Sequence, residues 1–249
     1  MQLTIMTYNI CSGHHFEEKA GYKPGLPSPY DLSRCAKVIS DIAPDICGLN
    51  EVDNFAERTG FISQTEYVSQ AVGMNGFFGK ALDFSKGEYG NAVLSRFPIL
   101  ETEVIPIPDP QIHDEPAYYE SRSVTRAVVD TGDAQITVLQ THFGLAISEQ
   151  QNAQQTLLQI LDKESGPVIL MGDFNIRPDN RLLDPIRERL IDTAFLQPGY
   201  FKTFPSYPTN YPDCKIDYVF VSKHFTPRAL QIPQVRASDH MPYVVEVSL

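Results

Sequence analysis

The sequence predicts a mixed α/β sandwich, two β-sheets packed together with helices outside, on three observations. Eight segments of strand length alternate or run apolar, and helical patterns fall between only some of them. Their order lacks the strict alternation of a doubly wound sheet or a barrel. The chain of 249 residues is long for one domain but within range, and its 42% hydrophobic content supports a substantial core. No repeat at solenoid period and no low-complexity linker divides it, so residues 1–249 are expected to form a single domain.

The elements follow in order. LTIMTYNI (3–10) opens the chain as a strand. YDLSRCAKVISDIA (30–43) has apolar residues at helical spacing and closes before Pro44, because a proline disfavours helix at the residue before it. DICGLNEV (45–52) is the second strand and SQTEYVSQAVGM (63–74) a short helix. NAVLSRF (91–97), SVTRAVVD (123–130) and QITVLQTH (135–142) are three further strands. SEQQNAQQTLLQILDKE (148–164) reads as a helix with Ser148 as its N-cap and a stop before Gly166 and Pro167. PVILMGDF (167–174) is a greasy strand, and NRLLDPIRERLI (180–191) a helix interrupted by Pro185. IDYVFVS (216–222) and YVVEVSL (243–249) complete the set. Pro-rich, polar stretches at 21–29, 105–116 and 198–213 are expected to be surface loops.

A net charge of −11 gives no support to a general basic surface for nucleic acid or anionic membranes. It leaves open a polyanionic substrate at one site where a bound divalent cation inverts the local field. No window of eighteen consecutive apolar residues occurs, so no transmembrane segment is expected. The opening residues lack the charged start and long apolar core of a signal peptide. A cytoplasmic protein is expected, with secretion the alternative where a leader has been removed. Cys11, Cys35, Cys47 and Cys214 show no CxxC spacing and are expected to be buried free thiols.

Acidic, amide and imidazole side chains gather where the strands stop. Asn9 and Glu51 end the first two strands, Asn91 starts the third, and His142 ends QITVLQTH. Asp173 and Asn175 follow the run VILMG, Asp217 begins IDYVFVS, and Asp239 and His240 precede the last strand. Singly, each has a bland reading: Asn9 and Asp239 as turn residues, Glu51 and Asp217 as edge charges, His142 as a satisfied core histidine. Asp173 and Asn175 resist it, because a side-chain period of two sets them on one face, and an unpaired carboxylate after a buried run is costly. One shared site explains all of them together.

The residue types narrow the chemistry. No zinc-finger or HExxH spacing, serine-hydrolase elbow, Walker loop or GxGxxG turn occurs. Hard oxygen donors dominate, which favours magnesium, or else manganese, with substrate phosphate and water filling the remaining positions. An acid-rich site in a chain of this charge would repel a phosphate without a cation. The expectation is metal-assisted phosphoester hydrolysis.

These residues resemble the endonuclease/exonuclease/phosphatase superfamily, which includes pancreatic deoxyribonuclease, exonuclease III-type abasic endonucleases, inositol polyphosphate 5-phosphatases, neutral sphingomyelinases and deadenylases. TYNI (7–10), LNEVD (49–53), YGNAVLSRFP (89–98), THFG (141–144), GDFN (172–175), IDYVFVS (216–222) and SDHMP (238–242) stand in family order over nearly the whole chain. Each is weak alone; seven in order are specific. The resemblance implies a four-layer α-β-β-α sandwich of the deoxyribonuclease I type. It implies that Asn9 and Glu51 help to hold a divalent metal, with Glu51 the direct ligand and Asp239 in support. Asp173 and Asn175 would orient or deprotonate the attacking water and bind phosphate. His142 would donate to a phosphate oxygen, and Asp217 and His240 would be the paired acid and imidazole. Asn91 and Arg122 would contact substrate, with Arg126 a rival for the arginine. Asn50 departs from the glutamine that many members carry, an amide one methylene shorter.

The substrate is set between the motifs. Segments 11–30 and 106–121 are expected to overhang the site, with Tyr22, Lys23, Tyr118 and Tyr119 placed to grip a leaving group, and 206–215 is expected to form another wall. His14 and His15 read as a solvated loop. The acidic balance, the lack of Trp and the lack of a helical wedge favour a small or lipid-linked phosphate ester over duplex DNA. A nuclease is the alternative, and a silent binding protein of the same fold a third reading, against which the intact acidic set argues. A monomer is the base expectation.

Overall fold

Leu3 and Ile5 of strand β1 (Gln2–Asn9) turn to one face and Met6 and Tyr8 to the other, and the neighbouring strands repeat that division. The structure, a computed structural model, describes residues 1–14, 30–197, 199, 201–204 and 214–249. After β1 come α1 (Leu32–Ile42), β2 (Ile46–Asn54), α2 (Gln64–Val72), β3 (Asn75–Phe84), β4 (Gly87–Ser95) and β5 (Ile99–Ile107). Then follow β6 (Arg122–Asp130), β7 (Gln135–His142), α3 (Ile147–Leu161) and β8 (Val168–Asp173). The chain closes with α4 (Asp184–Arg187), β9 (Ile191–Asp192), β10 (Asp217–Val221), β11 (Thr226–Gln231) and β12 (Tyr243–Ser248).

Two six-stranded sheets result, in the orders β11-β12-β1-β2-β4-β3 and β5-β6-β7-β8-β10-β9. Each is mixed: β1 with β2 and β7 with β8 are the parallel pairs, and the other pairs are antiparallel. Parallel neighbours need a crossover, and α1 and α3 supply it. The inner faces meet through Leu3, Ile5, Ile46, Val93, Val138, Ile169, Val219 and Val245. On the outside, α1 and α2 bury Cys35, Ile39 and Val68 against one sheet, and α3 buries Ala153 and Leu157 against the other. Three apolar layers between four layers of backbone make the expected α-β-β-α sandwich.

Helix signals held where they were local. Asp31 caps α1 by accepting from the Ser33 amide, and Ala43 ends it in a left-handed conformation just before Pro44. Ser63 caps α2, and Gly73 closes it at φ +70°. The N-cap of α3 differs from expectation: it is Ala146, not Ser148. The amides at its start are satisfied by carboxylates, Ala146 by Glu149 within the helix and Ile147 and Ser148 by Glu115, a residue 32 positions away from Ile147. The helix expected at 180–191 is reduced to a 3-10 turn and the four residues of α4, with Pro185 in its first turn.

Four strands went unread, β3, β5, β9 and β11; residues 105–107 belong to β5 instead of a loop, and Ile191 opens the two-residue β9 instead of ending a helix. All four lie at sheet edges, where most side chains are half or fully exposed, so no apolar run marks them. All four cysteines are free thiols as expected, but only Cys35, Cys47 and Cys214 are buried, Cys11 being half-buried. Among the described residues no helix is long and apolar enough to cross a membrane.

The sheets approach closely at glycines. A Cβ on Gly48 of β2 would stand 1.9 Å from Gln140 Oε1 and 2.8 Å from the Met171 methyl of the opposite sheet. Gly48→Ala should therefore cost about 1–3 kcal/mol by overpacking, read as a lower urea midpoint at unchanged slope. An unchanged midpoint would show that Gln140 is free to move aside.

Candidate active site

The inner-face parity that makes the core also makes the site. Along β1 the inner positions run Leu3, Ile5, Thr7, Asn9; along β2, Ile46, Gly48, Asn50; along β7, Ile136, Val138, Gln140, His142; along β8, Ile169, Met171, Asp173. Each row is apolar at one end of the sandwich and polar at the other. Register aligns the polar ends: Asn9 faces Asn50, His142 faces Asp173, and Asp173 faces Asp217.

Asn50 ties the two sheets there. Its amide donates to Asn91 Oδ1 and to the Thr141 carbonyl, both at 2.8 Å, and its oxygen accepts from Gln140 Nε2 and the Asp173 amide, both at 2.9 Å. The shorter amide in place of glutamine thus acts as a strut between sheets. Asn91 is buried, with its oxygen held by Asn50 and its amide donating to the Ser123 carbonyl, which sets it behind the cluster.

Asn9 donates to both Glu51 Oε1 (2.9 Å) and Asp173 Oδ2 (3.1 Å). Glu51 sits where the β2–β4 register slips between Leu49 and Val52, with φ +57°, a left-handed backbone that turns its carboxylate toward Asn9. A network that the sequence did not reveal fastens this bulge. Ser12 Oγ donates to the Glu51 carbonyl and to Asp53, the Arg58 guanidinium clasps Asp53 at 2.7 Å, and Gln64 holds the Ser12 carbonyl. Burial and then the Asp239 carboxylate push the Glu51 carboxyl above its ordinary value.

Asp173 and Asn175 converge, but by a different route from strand alternation. β8 stops at Asp173, and Asn175 lies beyond it at φ +49°, its amide N–H donating to Asp173 Oδ1 at 2.9 Å. Phe174 turns fully into the outer core. The Asn175 side-chain amide donates to the Phe143 carbonyl at 3.0 Å and lies 3.2 Å from His142 Nε2. Asp173 Oδ2 lies 3.5 Å from the Nε2 atoms of both His142 and His240. Burial raises the Asp173 carboxyl to about 7, opposed by His240 and reinforced by Asp217.

His240 Nδ1 and Asp217 Oδ2 are 2.9 Å apart, and Phe204 packs against the ring. Burial alone would lower this imidazole, but Asp217, Asp173 and Asp239 together hold it well above 6.5. His142 goes the other way: burial, then Arg122 and His240, hold it well below. Arg122 is buried, 3.1 Å from His142 Nδ1 and 2.7 Å from Glu120. Arg126 pairs instead with Glu164 and Glu101. Asp239 is half-buried and accepts from Ser238, whose hydroxyl also donates to the Asn9 carbonyl. Thr203, absent from the expected set, accepts from the Ile216 and Asp217 amides.

Two donor groups suit a divalent cation. Asp173, Asp217 and His240 bring ligand atoms within 4.8 Å of one another, and Asp217 Oδ1 is buried with no hydrogen-bond partner. Glu51 and Asp239 repel in a partly desolvated setting, a stress that a cation relieves. Residues present and chemistry fit.

Of the expected overhang, Tyr118 is exposed, while Tyr119 accepts from the Glu115 amide and stacks on His113 at 4.1 Å. His14 forms a bridge with Tyr30. His15, Tyr22, Lys23 and residues 205–213 lie outside the described residues.

The Asp173 shift has a sign. Its folded value near 7 lies above the ordinary 3.8, so between those values the native state holds an extra proton and stability falls as pH rises. Without added cation, Asp173→Asn should gain stability on the wild type as pH rises from 5 to 7, by at most about 3 kcal/mol, read as a growing difference in melting temperature. A difference independent of pH would refute the buried, protonatable carboxyl.

Comparison with known proteins agrees with the geometry. The uncharacterized protein YbhP of Escherichia coli is 24% identical over 243 residues, covering 90% of this chain and 88% of that protein. An endonuclease/exonuclease/phosphatase structure from Beutenbergia cavernae superposes with a TM-score of 0.77 at 28% identity, over 100% of this chain and 72% of that one. The mannosyl-6-phosphatase of Bacteroides thetaiotaomicron superposes at 0.71 and 20% identity, over 99% of this chain and 100% of that one. The model of the Endonuclease/Exonuclease/phosphatase family matches residues 6–240, nearly the whole span over which the sandwich and its polar end are built, and the chain belongs to that family.

Proposed function

We propose that this chain is a divalent-metal-dependent phosphoric ester hydrolase in which water attacks phosphorus in line, with residues 1–249 as one catalytic unit. The observation that carries the reading is the buried convergence of Asp173 with both imidazoles, one held neutral and one held charged. Two titratable groups of one kind pushed in opposite directions are what a site needs to handle both proton transfer and charge.

Glu51, with Asn9 and Asp239, would hold magnesium, or manganese in its place. When bound, that cation supplies Lewis-acid neutralisation of phosphate charge. Asp173 orients the attacking water and takes its proton, for which a carboxyl poised near neutrality is suited. Asn175, locked to Asp173 through its backbone, shapes the phosphate position. His142 donates to a phosphate oxygen, and His240, held by Asp217, stabilises the charge that builds there. No side chain forms a covalent intermediate in this scheme.

The substrate in this reading is a small or lipid-linked phosphate ester, in keeping with the net charge of −11. A neighbour of the same fold is named a mannosyl-6-phosphatase, which makes phosphomonoesters a natural first arm of a substrate panel. The four free cysteines accord with a reducing, cytoplasmic setting.

The test is turnover with magnesium or manganese on bis-aryl phosphate, sugar and inositol phosphates, sphingomyelin, abasic duplex and single-stranded nucleic acid. Asp173→Ala and His240→Ala should each lose hydrolysis by on the order of 100-fold or more, with circular dichroism unchanged. Full activity in either folded variant would sink the assignment, and turnover of nucleic acid alone would transfer it to a nuclease.

A further inference from the structure

His142 faces two nitrogen donors. Arg122 Nη1 lies 3.1 Å from its Nδ1 and Asn175 Nδ2 lies 3.2 Å from its Nε2. A neutral imidazole has one donor and one acceptor nitrogen, so it satisfies only one of them. A guanidinium has no acceptor and stays charged, whereas the Asn175 amide already has the Phe143 carbonyl at 3.0 Å. A charge-assisted hydrogen bond is about twice as strong as a neutral one, which decides the competition for Arg122.

We propose that Arg122 is a positioning residue that fixes His142 in the tautomer with its proton on Nε2. The lone pair of Nδ1 then accepts from Arg122, and Nε2–H points into the cluster, where the Asp173 Oδ2 atom is its acceptor at a long 3.5 Å. That contact is loose enough for a substrate oxygen to take over. The doubly protonated ring, with a donor facing a donor on both sides, is excluded by the same geometry.

Arg122 is built for this task. Its other terminal nitrogen is anchored 2.7 Å from Glu120, whose backbone amide donates to Glu149. Glu149 also accepts from the Ala146 amide, and its carboxylate fills the space that a Cβ on Gly144 would need. The segment that follows His142 and the arginine that touches it are therefore fastened to the same carboxylate at the start of α3. Arg122 is only 7% exposed, so it reaches the reacting phosphate through His142. This assignment was hidden in the sequence, where Arg122 reads as a phosphate contact.

The purpose of the tautomer, a neutral donor toward a phosphate oxygen, rests on the hydrolase reading; the tautomer itself does not. Nitrogen-15 spectra of the full chain, labelled on its histidines, report it directly, with His142→Gln identifying the His142 signals. The wild type should show a protonated Nε2 and an unprotonated Nδ1. Arg122→Lys, which keeps a permanent donor, should preserve that pattern, and Arg122→Met should lose it, with the proton moving to Nδ1 or exchanging between the two. In turnover, Arg122→Met should lower kcat on the order of 100-fold with KM little changed, and Arg122→Lys should recover part of it.

A wild-type spectrum with the proton on Nδ1 overturns the proposal whether or not any variant folds. So does an unchanged tautomer in Arg122→Met accompanied by a raised KM, the pattern of a direct phosphate contact. The expected spectra in a chain that turns over no phosphate ester would support the tautomer and sink the hydrolase reading alone.

Discussion

Asn50 carries the constraint on which the site depends. It stands at the one end of the sandwich where the inner faces are polar, and it spends all its hydrogen-bonding capacity on four groups from both sheets. Two apolar faces hold at any register that keeps their greasy rows opposed, but a saturated amide holds at one. Through Asn50 the position of Asp173 in one sheet is tied to β2 and hence to Glu51 in the other. Asn9 then closes the loop by touching both carboxylates. Half-satisfied buried networks are costly, so a change at any of these amides propagates to all the others.

Around that strut the protein accumulates electrostatic stress. Asp173, Asp217, His142 and His240 are buried together with the half-buried Glu51 beside them, and the charged His240 only partly offsets the burial of Asp173. The stress is relieved unequally: Asp217 gains a charged imidazole, while Asp173 is driven toward its neutral form. Backbone strain sits in the same place, with left-handed residues at Ser12, Glu51 and Asn175. Strain and buried charge at one end are tolerated because three apolar cores elsewhere supply the stability. The arginines sort by the same logic, Arg58 clamping the backbone that presents Glu51 and Arg122 addressing an imidazole.

The central strands, α1, α2 and the strand-end positions of Asn9, His142, Asp173 and Asp217 were legible, because burial on both faces writes a local apolar pattern. Glu51 and Asn91 instead lie inside β2 and β4 and not at the strand ends expected for them. The edge strands β3, β5, β9 and β11 were not legible, since each pairs with one neighbour and leaves most of its side chains half or fully exposed. Asn175 was placed correctly near Asp173 for an incorrect reason: a left-handed turn brings it round, and not strand periodicity. Ser12 and Gln140 were missed because their partners are distant in sequence, and Asp53, Arg58 and Thr203 because their pairings depend on how the chain turns between nearby residues. Gln140 carried one usable signal, two residues before His142 and on its face.

By itself, the sequence determined the parity of the central strands, and with it the sandwich and the end at which polar groups collect. That much is local, set by a side-chain period of two and by which residues tolerate burial. Only the tertiary structure decided what each polar group does. The register of Asp217 on Asp173, the neutral and charged states of the two histidines, the strut role of Asn50 and the hold of Arg122 on His142 arise from contacts between residues up to 123 positions apart. Hydrogen-bond direction and desolvation belong to pairs of groups in space, and no single residue type encodes its partner.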